Sequence, residues 1–212
     1  MRLCYVTDRK ALGGSTAEQF RALLDKIEKV ALAGVDWIQI REKDLSGREL
    51  AALVSEAVRR VPDSSRVLVN DRLDVTLAVG AGGVHLGEHS IPAEEAKRFV
   101  QEKNLADDLL LGVSTHSLEA ARAAEEAGAN YVIFGPVFAT PSKAAFGPPQ
   151  GMERLGKMCA SVSIPVIAIG GITVQNAPEC MMAGASGIAA IRMFQDAPDI
   201  AAVVRELREL PV

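Results

Sequence analysis

Aromatic residues are scarce in this chain. Phe, Trp and Tyr make up 4% of its 212 residues, with a single Trp. A core must then be assembled mostly from Ala, Val, Leu and Ile. Cysteine is nearly missing too. Cys4, Cys159 and Cys180 are odd in number and widely spaced, and no C-x-x-C pair occurs. That spacing speaks against a disulfide scaffold or a sequence-local metal site. There is no basic excess: 23 Lys and Arg against 27 Asp and Glu leave a formal net charge of -4, which offers no patch suited to nucleic acid. No apolar stretch approaches the length of a membrane span. The apolar run in "MRLCYVTDRK" is far too short for a secretory h-region. The expectation is a cytoplasmic protein with reduced thiols, no nucleic-acid or membrane partner, and a small-molecule ligand. The sequence leaves open whether copies of the chain form a homo-oligomer.

What is present is a regular alternation. Short β-branched runs recur as "RLCYVTD", "VDWIQIRE", "RVLVND", "GGVHLG", "LLLGVST", "NYVIFGPVF", "IPVIAIGG" and "SGIAAIRMF". Amphipathic stretches lie between most of them. Residues 16–33 carry Phe20, Leu23, Leu24, Ile27 and Val30 at helical spacing, and residues 46–61 carry Leu50, Leu53, Val54, Ala57 and Val61. A last helix carries Ile200, Val203, Val204 and Leu207. Ser46 with Glu49 three residues on makes a capping box, and Thr173 and Asp196 are expected N-caps. The phrases "AGVD", "GAGG", "AGAN" and "AGAS" precede strands 2, 4, 6 and 8. Each reads as a helix end with Gly in the left-handed position. Eight strands alternating with about seven or eight helices predict an α/β fold of the (β/α)8 TIM-barrel type, one domain over 1–212. A doubly wound open sheet is the alternative. The longest irregular piece is "ATPSKAAFGPPQG", residues 139–151, a length typical of lids and binding loops.

In a barrel of this kind the site lies at the C-terminal ends of the strands. Those ends carry Thr7, Asp8 and Arg9; Gln39, Arg41, Glu42 and Lys43; Asn70 and Asp71; His85, Glu88 and His89; Ser114, Thr115 and His116. The later strands lead to Thr140, Ser142 and Lys143, to Gly170 and Gly171, and to Arg192. Any one of these is explained by polar residues beginning where strands stop. As a set they read as a polar mouth. Gln39, Arg41 and Lys43 alternate and are expected to point into the open end of the barrel. Cations there suit an anionic ligand. The competing explanation is an inward ion pair between Arg41 and Asp71. The Gly170–Gly171 pair admits close approach of a phosphate or simply makes a tight βα turn. His116 is the best-placed group for proton transfer near neutral pH. His85, between Val84 and Leu86, reads as a structural inward residue, and Cys4 as core. Asp71 is a candidate ligand for a hard cation if a phosphate supplies further oxygens.

The motifs "QIREK", "VLVND", "GVHLGE", "GVSTHS", "YVIFGPVFATPSK" and "PVIAIGGI" together resemble the thiamine phosphate synthase / TenI family of barrels, from strand 1 to strand 8. The resemblance implies coupling of hydroxymethylpyrimidine diphosphate with thiazole phosphate, giving thiamine phosphate and diphosphate. It implies Mg²⁺ as cofactor and phosphorylated small molecules as partners. By matching positions, Gln39, Arg41, Lys43, Asn70 and Lys143 would hold the diphosphate, and Asp71 the Mg²⁺. Ser114 would contact the pyrimidine side, while Thr140, Ser142 and Gly171 would hold the thiazole phosphate. Two positions depart from the synthase pattern. Ser90 stands where a second Mg²⁺ carboxylate is expected, and Arg192 where strand 8 ends in a small residue. The TenI branch implies a second activity, thiazole tautomerisation with His116 as the acid–base group. A barrel that binds a thiamine precursor without turnover is a third reading.

Overall fold

The β-branched runs become strands of four to six residues: β1 (Arg2–Val6), β2 (Trp37–Ile40), β3 (Arg66–Asn70), β4 (Gly83–Leu86), β5 (Leu110–Thr115), β6 (Tyr131–Phe134), β7 (Val166–Ile169) and β8 (Gly187–Ala190). Each pairs in parallel with the next, and β8 pairs with β1, so the sheet closes into a barrel. The description rests on a computed structural model and covers residues 1–87, 89–104, 108–140 and 148–210. Closure decides between the two predicted architectures: the open doubly wound sheet is excluded, and no strand is left as an edge.

The helices fill the connections. In order they are α1 (Thr16–Leu32), α2 (Gly47–Arg60), α3 (Leu73–Val79), α4 (Ala93–Glu102), α5 (Leu118–Glu126), α6 (Gly151–Ser161), α7 (Ala177–Met182), the single turn α8 (Arg192–Gln195) and α9 (Ile200–Arg208). A 3-10 turn, Arg9–Leu12, follows β1. Among the described residues no helix is long and apolar enough to cross a membrane.

Period-two alternation sorts the strand side chains. Leu3, Tyr5, Ile38, Ile40, Val67, Val69, Val132 and Phe134 face the helices and join the main core. Cys4, Val6, Trp37, Leu68, Tyr131, Ile133, Ile167 and Ala189 form a second cluster inside the barrel. The barrel is therefore packed solid below its mouth. The one Trp packs against Tyr131 across this interior in a tilted arrangement, with ring centroids 4.5 Å apart. Gly34, Gly80, Gly128 and Gly184 all take positive φ, which ends α1, α3, α5 and α7 as the repeated phrases predict.

Two caps differ from expectation. The N-cap of α7 is Asn176, not Thr173; Thr173 instead exchanges hydrogen bonds with Asn176 in the turn before it. The N-cap of α9 is Asp199, which accepts from the Ala202 N–H, while Asp196 closes α8. In both places two capping residues lie three apart, and the tertiary packing selects the second.

Candidate active site

The mouth is built from β3 outward. Asp71 follows the last residue of β3 and sits at φ +63°, a left-handed conformation that non-glycine residues rarely adopt. Its amide donates to the His85 carbonyl at 2.9 Å, continuing the β3–β4 ladder one residue past the strand. The carboxylate is heavily engaged. Oδ1 accepts the Gly87 N–H at 3.0 Å and the Ser90 hydroxyl. Oδ2 accepts the Asn70 side-chain amide at 2.6 Å, and Lys43 Nζ lies 3.6 Å away. Burial pushes this carboxyl up, but the Ser90 hydroxyl, the Gly87 amide and Lys43 outweigh it and hold it below the ordinary Asp range.

Gln39 extends the chain of polar contacts inward. Its Nε2 donates to Asn70 Oδ1 at 2.9 Å, so Gln39, Asn70 and Asp71 form one directed relay. Gln39 is 3% exposed, and its Oε1 has no partner among the described residues. The relay fixes the orientation of each amide, because one N–H of Gln39 and one of Asn70 is committed to the next residue.

Gln39 faces inward, and although β2 stops at Ile40, Lys43 beyond it still reaches Asp71 at the mouth. Arg41 and Lys43 are exposed, and the residue between them, Glu42, is buried. Glu42 accepts from the Thr7 hydroxyl at 2.6 Å, the Arg9 amide at 3.1 Å and the Arg9 guanidinium at 3.1 Å. Arg9 also makes a bidentate pair with Asp44 at 2.7 and 2.8 Å. The Thr7 hydroxyl oxygen accepts the Arg41 amide at 3.0 Å. This clamp ties the end of β1 to the loop after β2 and turns the two cations toward the mouth. The competing Arg41–Asp71 pair does not form; Lys43 stands beside Asp71 instead.

Inside the mouth, His85 is 2% exposed, as its strand position implies. Its Nδ1 lies 3.1 Å from the Tyr131 hydroxyl and its Nε2 2.8 Å from Ser114 Oγ. Burial lowers its pKa to about 4, so the ring is neutral at pH 7. His116 follows β5 and places Nδ1 2.8 Å from the Gly135 carbonyl. A carbonyl only accepts, so Nδ1 carries a hydrogen, and in the neutral ring Nε2 keeps the lone pair.

On the far side, Gly170 and Gly171 have φ of +98° and +66°. A Cβ on Gly171 would stand 2.6 Å from the Ala139 carbonyl oxygen. The glycine pair thus lets the chain after β6 pack onto the turn after β7. Thr140 is half-buried at the end of that chain. Ser142 and Lys143 lie outside the described residues, as does Glu88. Arg192 opens α8 with an exposed side chain. Among the described residues no three His, Cys, Asp or Glu side chains converge as a metal cluster. Tyr131 was not singled out from sequence as a site-building residue, and Arg9 and Glu42 were named only as members of the polar mouth, without their clamp. The opposed charges in "TDR" and "REKD" were the available signal for that clamp.

The profile of the thiamine monophosphate synthase family matches residues 3–194. The chain belongs to that family. It is 40% identical over 203 residues to the thiamine-phosphate synthase of Roseiflexus sp., covering 95% of this chain and 81% of that one. It is 39% identical over 208 residues to the thiamine-phosphate synthase of Moorella thermoacetica, covering 97% and 94%. The thiamine phosphate pyrophosphorylase of Pyrococcus furiosus superposes with a TM-score of 0.82 at 34% identity, over 99% of this chain and 94% of that one. In this family setting the polar mouth is the candidate active site.

Proposed function

We propose that the protein is a thiamine phosphate synthase, a transferase that joins hydroxymethylpyrimidine diphosphate to thiazole phosphate and releases diphosphate. The observation that carries this reading is the relay Gln39–Asn70–Asp71 with Lys43 against it, at the mouth of a family barrel. Arg41 and Lys43, joined by Lys143, supply cations for a departing diphosphate, and Gln39 and Asn70 orient it. Ser114 faces the pyrimidine; Thr140, Ser142, Gly171 and Arg192 serve the thiazole phosphate.

The donor set around Asp71 fits Mg²⁺ as a shared site. One carboxylate and the Ser90 hydroxyl are hard oxygens, and Mg²⁺ readily takes its remaining oxygens from phosphates and water. Bound there, Mg²⁺ supplies positive charge to the leaving diphosphate. The chain's own task is to hold the diphosphate beside Arg41 and Lys43 as the C–O bond breaks, and to present the thiazole nitrogen to the pyrimidine methylene carbon. Fixed cations at developing negative charge are worth most where water is excluded.

His116 supports a second reading, proton transfer on a thiazole carboxylate phosphate, because its Nε2 lone pair is left available as a base. One assay separates the two. Purified protein, Mg²⁺ and the pyrimidine diphosphate are mixed with thiazole phosphate, and in a parallel tube with the carboxylated non-aromatic tautomer. Thiamine phosphate in the first tube is the expected result. Isomerisation in the second without coupling in the first would replace the synthase by the tautomerase, and His116→Asn should then abolish it. Lys143→Ala is expected to slow coupling on the order of 10²-fold by removing one electrostatic stabiliser. An unchanged rate would remove Lys143 from the diphosphate site.

A further inference from the structure

The barrel interior holds one feature that packing alone does not explain. Tyr131 is fully buried, packed against Trp37 and stacked on His85. Its ring runs so close to β5 that a Cβ on Gly112 would lie 2.0 Å from Tyr131 Cζ. A phenylalanine ring would fill the same space. The hydroxyl therefore needs its own reason, and its one hydrogen-bond partner among the described residues is His85 Nδ1.

The direction of that bond follows from satisfaction of the phenol. Burial raises the Tyr131 pKa, so the hydroxyl keeps its proton. With a single partner it must donate to that partner or leave a buried proton without an acceptor. Nδ1 is then the acceptor, and in a neutral ring Nε2 carries the hydrogen. Nε2–H donates to Ser114 Oγ at 2.8 Å. A serine oxygen that accepts from below has its own proton free. Ser114 is half-buried at the end of β5, so the free O–H points at the mouth.

We infer that Tyr131 and His85 are positioning residues that lock Ser114 as a hydrogen-bond donor to a lone pair on the ligand. Resting on the synthase reading, the ligand group is a ring nitrogen of the pyrimidine, an acceptor, and not its exocyclic amine, a donor. Reversing the His85 tautomer would reverse the polarity of Ser114 and set two lone pairs against each other at the ligand. The phenol sets that polarity from below the mouth, with no contact to substrate.

The chain has three histidines, so ¹⁵N-histidine labelling resolves each ring, with His89→Gln and His116→Gln assigning the spectrum. The expected wild-type His85 is a single Nε2–H tautomer at neutral pH. Tyr131→Phe keeps the ring that packs on Trp37 and removes only the donor. It is expected to give a mixture of tautomers and to weaken binding of the pyrimidine diphosphate on the order of tenfold, with unchanged affinity for inorganic diphosphate. An Nδ1–H tautomer in the wild type overturns the inference. So does a Tyr131→Phe variant that binds the pyrimidine diphosphate like the wild type. The tautomer measurement needs no turnover, so a protein that fails to couple the two substrates refutes the synthase assignment and leaves this test standing.

Discussion

Ser90 holds Asp71 Oδ1 through its hydroxyl, at the position where a second acidic side chain would meet the first. The substitution Ser90→Asp would set two carboxylates against each other, and like charges that close raise the cost of ionising both. The variant is expected to melt lower than the wild type without metal. Millimolar Mg²⁺ should raise its melting temperature more than that of the wild type, because an ion that binds only the folded state stabilises it by mass action. Thermal melts with and without Mg²⁺ read both effects. A variant whose melt ignores Mg²⁺ would show that position 90 is not beside the metal. His85 makes a second prediction at this scale. Its folded pKa, lowered by burial to about 4, lies below the ordinary histidine value near 6.5. The unfolded chain then binds the extra proton between those two values, so stability is full above about pH 6.5 and is lost as pH falls toward 4. One such group costs about 2 kcal/mol between pH 7 and pH 5. Urea unfolding at the two pH values measures it, and His85→Asn should flatten that slope.

The elements differ in how far their neighbours can be read locally. The capping box of α2 was legible because Ser46 and Glu49 satisfy each other within one turn: Ser46 accepts the Glu49 amide at 3.3 Å, and Glu49 accepts from Ser46. The left-handed glycines were legible for the same reason, since the requirement sits in one residue's φ. The burial of Glu42 was not, because it rests on contacts with Thr7 and Arg9, 35 and 33 residues away. Nothing in the period of "WIQIREKD" announces that long-range contact. Lys43 rather than Arg41 stands beside Asp71, a choice that alternation cannot make because it sets both cations on the same side. The clamp itself is testable. Arg9 and Glu42 side chains are 6% and 3% exposed. Arg9→Met leaves the Glu42 carboxylate buried without its cation, at a cost of about 3 kcal/mol. For a domain of this size that lowers the melting temperature by about 6–12 °C. A fall of only a degree or two in thermal melts would show that the Thr7 hydroxyl and the Arg9 amide satisfy Glu42 unaided.

At the scale of the molecule, eight evenly spaced strands with none marked as an edge favoured the barrel, and its closure bears that out, although a single buried parallel strand reads alike in a barrel and in an open sheet. The sequential strand order, β2 beside β3 and β3 beside β4, is what brings together residues from β2, β3 and the turn after β4. Gln39, Asn70, Asp71 and Ser90 span 51 positions yet share one hydrogen-bonded relay. A ligand that engages this relay would therefore tie three consecutive βα units, and its binding energy would add to the stability of the whole barrel. At a hundred times its dissociation constant, Mg²⁺-diphosphate should stabilise the fold by about 2.7 kcal/mol. That corresponds to a rise of about 5–11 °C in melting temperature for a domain of this size. Arg41→Ala removes one cation from the mouth, so the rise should shrink at the same ligand concentration while the ligand-free melt stays where it was. The exposure of Arg41 predicts the second half of that outcome, since its side chain supports no packing in the core. Equal rises in the wild type and the variant would place diphosphate away from Arg41, and with it the leaving group of the proposed reaction.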